Sequence, residues 1–323
     1  MKRRAFVAAM GAFAGFPSRL ALAQSLRPRK IGLLMPNVTD PHLWNGLKSE
    51  LARLGHVEGR NITFVEANAQ GNFARFPALA EELVRAGVDL IVAAATPAVR
   101  AAKNATTTIP IVIATAGDPV ASGMVASFAR PGGNITGMSN MAGDVSIKML
   151  ELARATLPKL ARIAMLRNPA NSGTGGLRAM SEAATKLRIA TSEFKAASTQ
   201  EVDAVLDALV RERVDALLVL SDPFLVSQRE KIGAFGRAQR IPVFAPISDF
   251  TRAGALMSYG TDYAADFRRS AYFVDRILKG AKPGELPIEQ AATFELVLNK
   301  KTAALLGLAI PMTVQLQATE VIE

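Results

Sequence analysis

"VDLIVAAATPAVRAA" (residues 88–102) is the stretch on which the fold turns. After Asp89 its first half is an unbroken apolar run, its second half spaces alanines, a valine and an arginine as a helix does, and Thr96-Pro97 stands at the join. A short all-apolar strand leading straight into a helix is buried on both faces, as in a parallel sheet covered by helices. The pattern recurs in "IPIVIATAGDPVASGMV" (109–125), which closes on Asp118-Pro119, and in "DALLVLSDPFLVSQ" (215–228), which closes on Asp222-Pro223.

Working outward, short apolar runs alternate with longer amphipathic ones along the chain. Strands are predicted at Ile31–Met35, Ile62–Ala67, Leu90–Ala95, Ile111–Thr115, Ile135–Met138, Ile163–Leu166, Thr191–Lys195, Ala216–Leu220, Val243–Ala245 and Leu256–Tyr259. Between them, segments such as "LWNGLKSELARLG" (43–55) and "EVDAVLDALVRER" (201–213) carry apolar residues at three- and four-residue spacing. This alternation predicts an α/β protein with parallel sheets. A second unit starts afresh near Asp144, after the turn-forming "RPGGN" (130–134), so two similar lobes are expected, with late segments returning to complete earlier ones.

The 323 residues suffice for two lobes. The opening "MKRRAFVAAMGAFAGFPSRLALAQ" has a basic start, an apolar run of about a dozen residues and small residues before Gln24, the pattern of a secretory signal over residues 1–23. Either general secretory or twin-arginine export fits Lys2-Arg3-Arg4. With no cysteine in the chain, disulfides and an N-terminal lipid anchor are both excluded, and release into a periplasm is expected. Lys2, Arg3, Arg4 and Arg19 lie in that signal without an acid, so 38 basic residues fall to 34 against 28 acidic ones. These charges are scattered apart from "RPRK" (27–30), and aromatics are few, which argues against a nucleic-acid partner.

In parallel sheets the ligand site lies beyond the carboxyl ends of the strands. Four polar-Pro pairs fall there: Thr96-Pro97, Asp118-Pro119, Asn168-Pro169 and Asp222-Pro223. Capping alone accounts for any one of them, because proline suits a helix start and the residue before it can accept from the next amides. As a group they would line one cleft. Thr96 and Ser139 would offer hydroxyls, Asp118 and Asp222 carboxylates, and Asn37, Asn140 and Asn168 both donors and acceptors. Phe224 and Tyr259, with Phe250 and Trp44, are the aromatic residues nearest the inferred cleft. A ligand with an acceptor end and a donor end fits best, an amino acid or other amine-bearing carboxylate, ahead of a neutral polyol.

Enzyme signatures are scarce: the chain has no Walker A sequence, no G-x-G-x-x-G after the first strand and no G-x-S-x-G elbow. Two histidines, His42 and His56, and no cysteine make a transition-metal site unexpected, and no cofactor is expected. His42 reads as a helix-start residue.

"KIGLLMP" (30–36), "DPVASGMVASFARPGGNITG" (118–137), "RIAMLRNPAN" (162–171), "LSDPF" (220–224) and "GTDYAADFRRSAYFVDRILKGAKPGELP" (260–287) together resemble the ABC-transporter substrate-binding family that includes tryptophan/tyrosine-binding proteins. The resemblance spans nearly all of the chain beyond the signal. It implies a type I periplasmic-binding-protein fold, two Rossmann-like lobes joined by three hinge crossovers and closing on a ligand. The expected boundaries are 28–139 plus 256–284 for the first lobe and 140–255 plus 285–323 for the second. What the resemblance implies for function is a periplasmic, monomeric receptor that hands a small molecule to an inner-membrane ABC permease, without catalysis. An exported sensor module serving a signalling receptor is the alternative.

Overall fold

The computed structural model of the chain describes residues 27–37, 41–172 and 177–323. The signal read over residues 1–23 lies outside the described residues.

Each apolar run forms the strand expected of it. The first sheet contains β1 (Arg29–Met35), β2 (Ile62–Asn68), β3 (Leu90–Ala94), β4 (Ile111–Thr115) and β5 (Ile135–Ser139). The second contains β6 (Arg162–Arg167), β7 (Ala190–Lys195), β8 (Ala216–Val219), β9 (Val243–Ala245) and β10 (Met257–Thr261). β11 (Glu289–Gln290) returns to the first sheet, while β12 (Phe294–Asn299) and β13 (Glu320–Ile322) extend the second. The orders are β11-β5-β4-β3-β1-β2 and β13-β12-β10-β9-β8-β6-β7. All pairs in the first sheet are parallel. In the second, β12 runs antiparallel to β10, because the chain comes back from the first lobe in the opposite sense.

Helices cover both faces. Those that matter for the site are α1 (Pro41–Arg53), α2 (Phe76–Arg85) and α3 (Thr96–Ala105) on the first sheet, then α4 (Ala142–Thr156), α5 (Leu177–Lys186), α6 (Thr199–Glu212), α7 (Pro223–Ser227), α8 (Arg229–Gln239) and α9 (Ser248–Arg252) on the second. α10 (Tyr263–Leu278) leaves the second sheet and packs on α1, β4 and β5. Its apolar face buries Phe267, Ala271, Phe273 and Val274 against Leu33, Leu47 and Val112. Full burial of each of these phenylalanine, valine and leucine side chains contributes roughly 1.5–3 kcal/mol. Among the described residues no helix is long and apolar enough to cross a membrane.

The expected lobe boundaries need correction at the second and third crossovers. Residues 256–261 belong to the second sheet, where β10 pairs with β9 and β12, so the chain crosses after β10 and not before it. Gly260 secures that position: a Cβ there would stand 1.7 Å from the Pro246 carbonyl oxygen, so only glycine lets the turn after β9 close over β10. The third crossing follows β11, which pairs with β5, so residues 285–290 sit with the first lobe. Asp262 starts the returning helix, its side chain accepting from the Ala265 N–H at 3.0 Å.

The basic run at 27–30 is occupied locally. Arg27 and Arg29 both pair with Asp89, at 3.1 and 2.9 Å, beside the start of β1, and Asp89 is held below the usual carboxylate range, its burial outweighed by the Lys30 N–H and these two arginines.

Candidate functional site

A cavity of about 260 Å³ lies between the two lobes, at the carboxyl ends of both sheets. Its first-lobe wall starts with β3. The β3–β4 pairing slips by one residue beyond Ala93, so Ala94 faces Thr115, and Ala95 turns to φ 75°, ψ 144°. A non-glycine residue there costs on the order of 1–3 kcal/mol. The distortion aims the start of α3 at the cavity. Ala95 gives that helix no side-chain cap, so the Thr96 and Ala98 N–H groups stand open where the helix dipole is positive. Thr96 was expected to cap its own helix; its hydroxyl instead accepts from the Gly117 N–H at 3.2 Å, because Thr96 is already the first helical residue.

The second-lobe wall is built on Asp222, 1% exposed and N-cap of α7. Oδ1 accepts from the Leu225 N–H at 3.0 Å and from Asn168 Nδ2 at 3.3 Å, and Oδ2 accepts from Asn171 Nδ2 at 3.0 Å. Burial pushes its pKa up to about 6, against the opposing pull of those donors. Tyr263, at the start of α10, lies 2.5 Å from Ser221 Oγ and accepts from Asn140 Nδ2 at 3.3 Å. Burial raises its phenol to about 12. Nearby, burial and the neighbouring Asp262 carboxylate lift Asp266 to about 7, while its bond to Thr261 pulls the other way.

Two buried polar atoms on the cavity wall, Thr115 Oγ1 and Asn140 Oδ1, have no hydrogen-bond partner among the described residues. Buried polar groups are nearly always paired, and of the seven unpaired ones among the described residues only these two belong to residues that line the cavity. An apolar side of the cavity is formed by Leu43, Trp44, Val226, Ile247 and Phe267, with Trp44 edge-on to Phe267 at 5.0 Å. His42, two residues before Trp44 in α1, also lines it. No group of three or more His, Cys, Asp or Glu among the described residues could hold a metal ion.

Of the residues expected from sequence, Asn37, Thr96, Asn140 and Asp222 come together on this wall. The other five do not. Asp118 is exposed and accepts from the Val120 and Ala121 N–H groups, a local turn outside the cavity. Ser139 is wholly buried in β5 behind the wall. Asn168 sits one layer back, bonded to Asp222 and capping Ala170. Phe224 joins an apolar cluster shared by both lobes, and a Cβ placed on Gly71 would stand 3.8 Å from its ring. Tyr259 stacks on Phe294 at 5.8 Å on the far side of the second sheet. Phe250 is also core. Thr115, Asn171, Ser221, Asp262 and Tyr263 were missed, although Ser221 adjoins Asp222 and "GTDY" (260–263) closes a strand as the polar-Pro pairs do.

Direct bonds span the lobes: Asn37 Nδ2 donates to the Pro223 carbonyl at 3.0 Å, and Ser221 of the second lobe meets Tyr263 of the first. Two α/β lobes, three crossovers and a polar-and-aromatic cavity enclosed between them define a bilobal solute-binding protein. The chain belongs to the ABC transporter substrate binding protein family, whose model matches residues 40–322. Proteins of this family work outside the cytoplasm and deliver small molecules to membrane permeases.

A tyrosine-binding protein of Clostridioides difficile (strain R20291) is 29% identical over 259 residues, 80% of this chain and 74% of its own. The structure of the ABC domain in complex with L-Trp from Streptococcus pneumonia is 27% identical and has a TM-score of 0.83, covering 91% of this chain and 100% of that one. The ligand-free, open structure of a substrate-binding protein with adhesive properties from Clostridium difficile is 28% identical, covering 91% and 99%, yet its TM-score is 0.64.

Proposed function

We propose that the cleft captures an α-amino acid with an apolar or aromatic side chain for import. The observation that carries this reading is the pairing of an uncapped helix start at Thr96 with unpartnered Thr115 Oγ1 and Asn140 Oδ1 on one enclosed wall. A ligand carboxylate suits the α3 amides and the Thr115 hydroxyl. Its ammonium suits Asn140 Oδ1 and the carboxylates of Asp222 and Asp262, and a bound cation would draw Asp222 back toward its ionised form. Leu43, Trp44 and Phe267 offer the side chain an apolar wall. The tyrosine-binding relative and the L-Trp complex support the same class.

In this reading the chain is exported by residues 1–23, cleaved before Gln24, and works in the periplasm as a monomeric receptor for an inner-membrane ABC permease, with no catalytic step. A thermal-shift panel of the twenty amino acids, followed by calorimetry on those that raise the melting temperature, tests it. The expected result is stabilisation by one or more aromatic or large apolar amino acids. Stabilisation only by polyols, or by no amino acid, would end the proposal.

A further inference from the structure

We propose that Tyr263 is a positioning residue that holds the Asn140 amide with its oxygen toward the amine of the captured solute; this rests on the amino-acid reading above. Asn140 lies on the crossover between β5 and α4 and is 7% exposed. Asparagine just before a helix ordinarily caps it. Here Met141 intervenes in the left-handed region at φ 51°, α4 has no side-chain cap, and the Asn140 side chain is released from that duty. Its backbone N–H donates to the Ala116 carbonyl at 2.8 Å, which fixes the residue against the loop after β4.

The side chain is then governed by one contact. Asn140 Nδ2 donates to Tyr263 Oη at 3.3 Å, and Oδ1, buried and on the cavity wall, has no partner among the described residues. A phenol has a single proton. Either hydroxyl of the 2.5 Å Ser221–Tyr263 pair can donate; with the phenol's proton given to Ser221 Oγ, Tyr263 can only accept from Asn140, which matches the observed donation by Nδ2 and turns the amide oxygen away from the tyrosine. An oxygen held in that direction demands a donor from the solute. The chain Ser221–Tyr263–Asn140 thereby reads an ammonium in preference to a second carboxylate or a methyl group at that position. Ser221 comes from the second lobe and Tyr263 from a helix on the first, so the reading depends on both lobes being in place.

The test compares wild type with Tyr263→Phe and Ser221→Ala by calorimetry. The probes are L-tryptophan and L-tyrosine, each beside its counterpart lacking the amine, 3-indolepropionate and 3-(4-hydroxyphenyl)propionate. Wild type is expected to favour the amine-bearing member by about 100-fold. Tyr263→Phe should cut that preference to about tenfold or less while leaving affinity for the amine-free acid within twofold, and Ser221→Ala should move it the same way. Melting of the ligand-free proteins checks that both variants fold. A purely structural role would weaken both members of each pair equally, and that result, or an unchanged preference, overturns the proposal. If wild type binds no aromatic or large apolar amino acid, the ligand-class reading fails first and this inference falls with it.

Discussion

Asp118-Pro119 and Asp222-Pro223 are the same dipeptide placed three residues beyond the end of a buried strand, β4 in one lobe and β8 in the other. Asp118 is exposed and braces a turn, whereas Asp222 is buried on the cavity wall inside a cage of asparagine amides. Both carboxylates do what an aspartate before proline does, which is to accept from amides two or three residues on. Neighbouring strands make the difference. Beside β8 lies β6, whose trailing loop brings Asn168 and Asn171 over Asp222. Beside β4 lie β3 and β5, whose trailing residues Thr96 and Asn140 take hold of the backbone at Gly117 and Ala116, and the loop carries Asp118 past the cleft. A local motif fixes a cap; the sheet order decides what the cap faces.

The sharpest way to break this contrast is Asp222→Ala. It strands the buried donors of Asn168 and Leu225 and removes one of the bonds of Asn171, and at ~1–3 kcal/mol for each group left unpaired the variant should lose about 3 kcal/mol of unfolding free energy in urea. A loss below about 0.5 kcal/mol would mean that the cage is dispensable.

A second probe is pH. Because the folded-state pKa of Asp222 is raised from 3.8 to about 6, its stabilising contribution is complete below pH 3.8 and is lost as pH rises through 6. At ~1.4 kcal/mol per pKa unit, wild type should lose roughly 2–3 kcal/mol more than Asp222→Asn between pH 4 and pH 7. Asp266 shifts in the same direction in both proteins, so the difference between the two curves isolates Asp222. Parallel curves would place the titrating burden elsewhere.

The smallest effect belongs to Asp118→Ala, which removes an exposed turn brace at a cost of about 0.5–1 kcal/mol and should leave amino-acid affinity within twofold. A tenfold loss of affinity there would restore Asp118 to the cleft.

β3, β8 and β9 were legible because each is a fully apolar run bounded by turn residues, and burial on both faces leaves no other pattern for such a strand. β12 and β13 were not read as strands, and the second crossover was misplaced. What locates it is the approach of Pro246 to Gly260, a contact between elements that no local periodicity encodes. In the site, Thr96, Asn140 and Asp222 could be found from their places at strand ends. Ser139 and Tyr259 could not be excluded, because alternation along a doubly buried strand does not say which side chain faces the cavity and which the sheet behind it. Thr115 and Tyr263 depend on a register slip and on a returning helix, both properties of the assembled lobes.

The interleaving of the two sheets also has a consequence in time. α10 supplies Phe267 and Phe273 to a core begun by Ile31 and Leu47, and β12 supplies Leu296 and Leu298 to one begun by Met149 and Ile163. A chain emerging from its amino end therefore holds two unfinished cores until residues beyond 262 arrive, and both cores must close through contacts between residues far apart in sequence. Such contacts form slowly. Those two cores thus close only with the late segment, and a chain cut short before Tyr263 is left with apolar surface open on both halves.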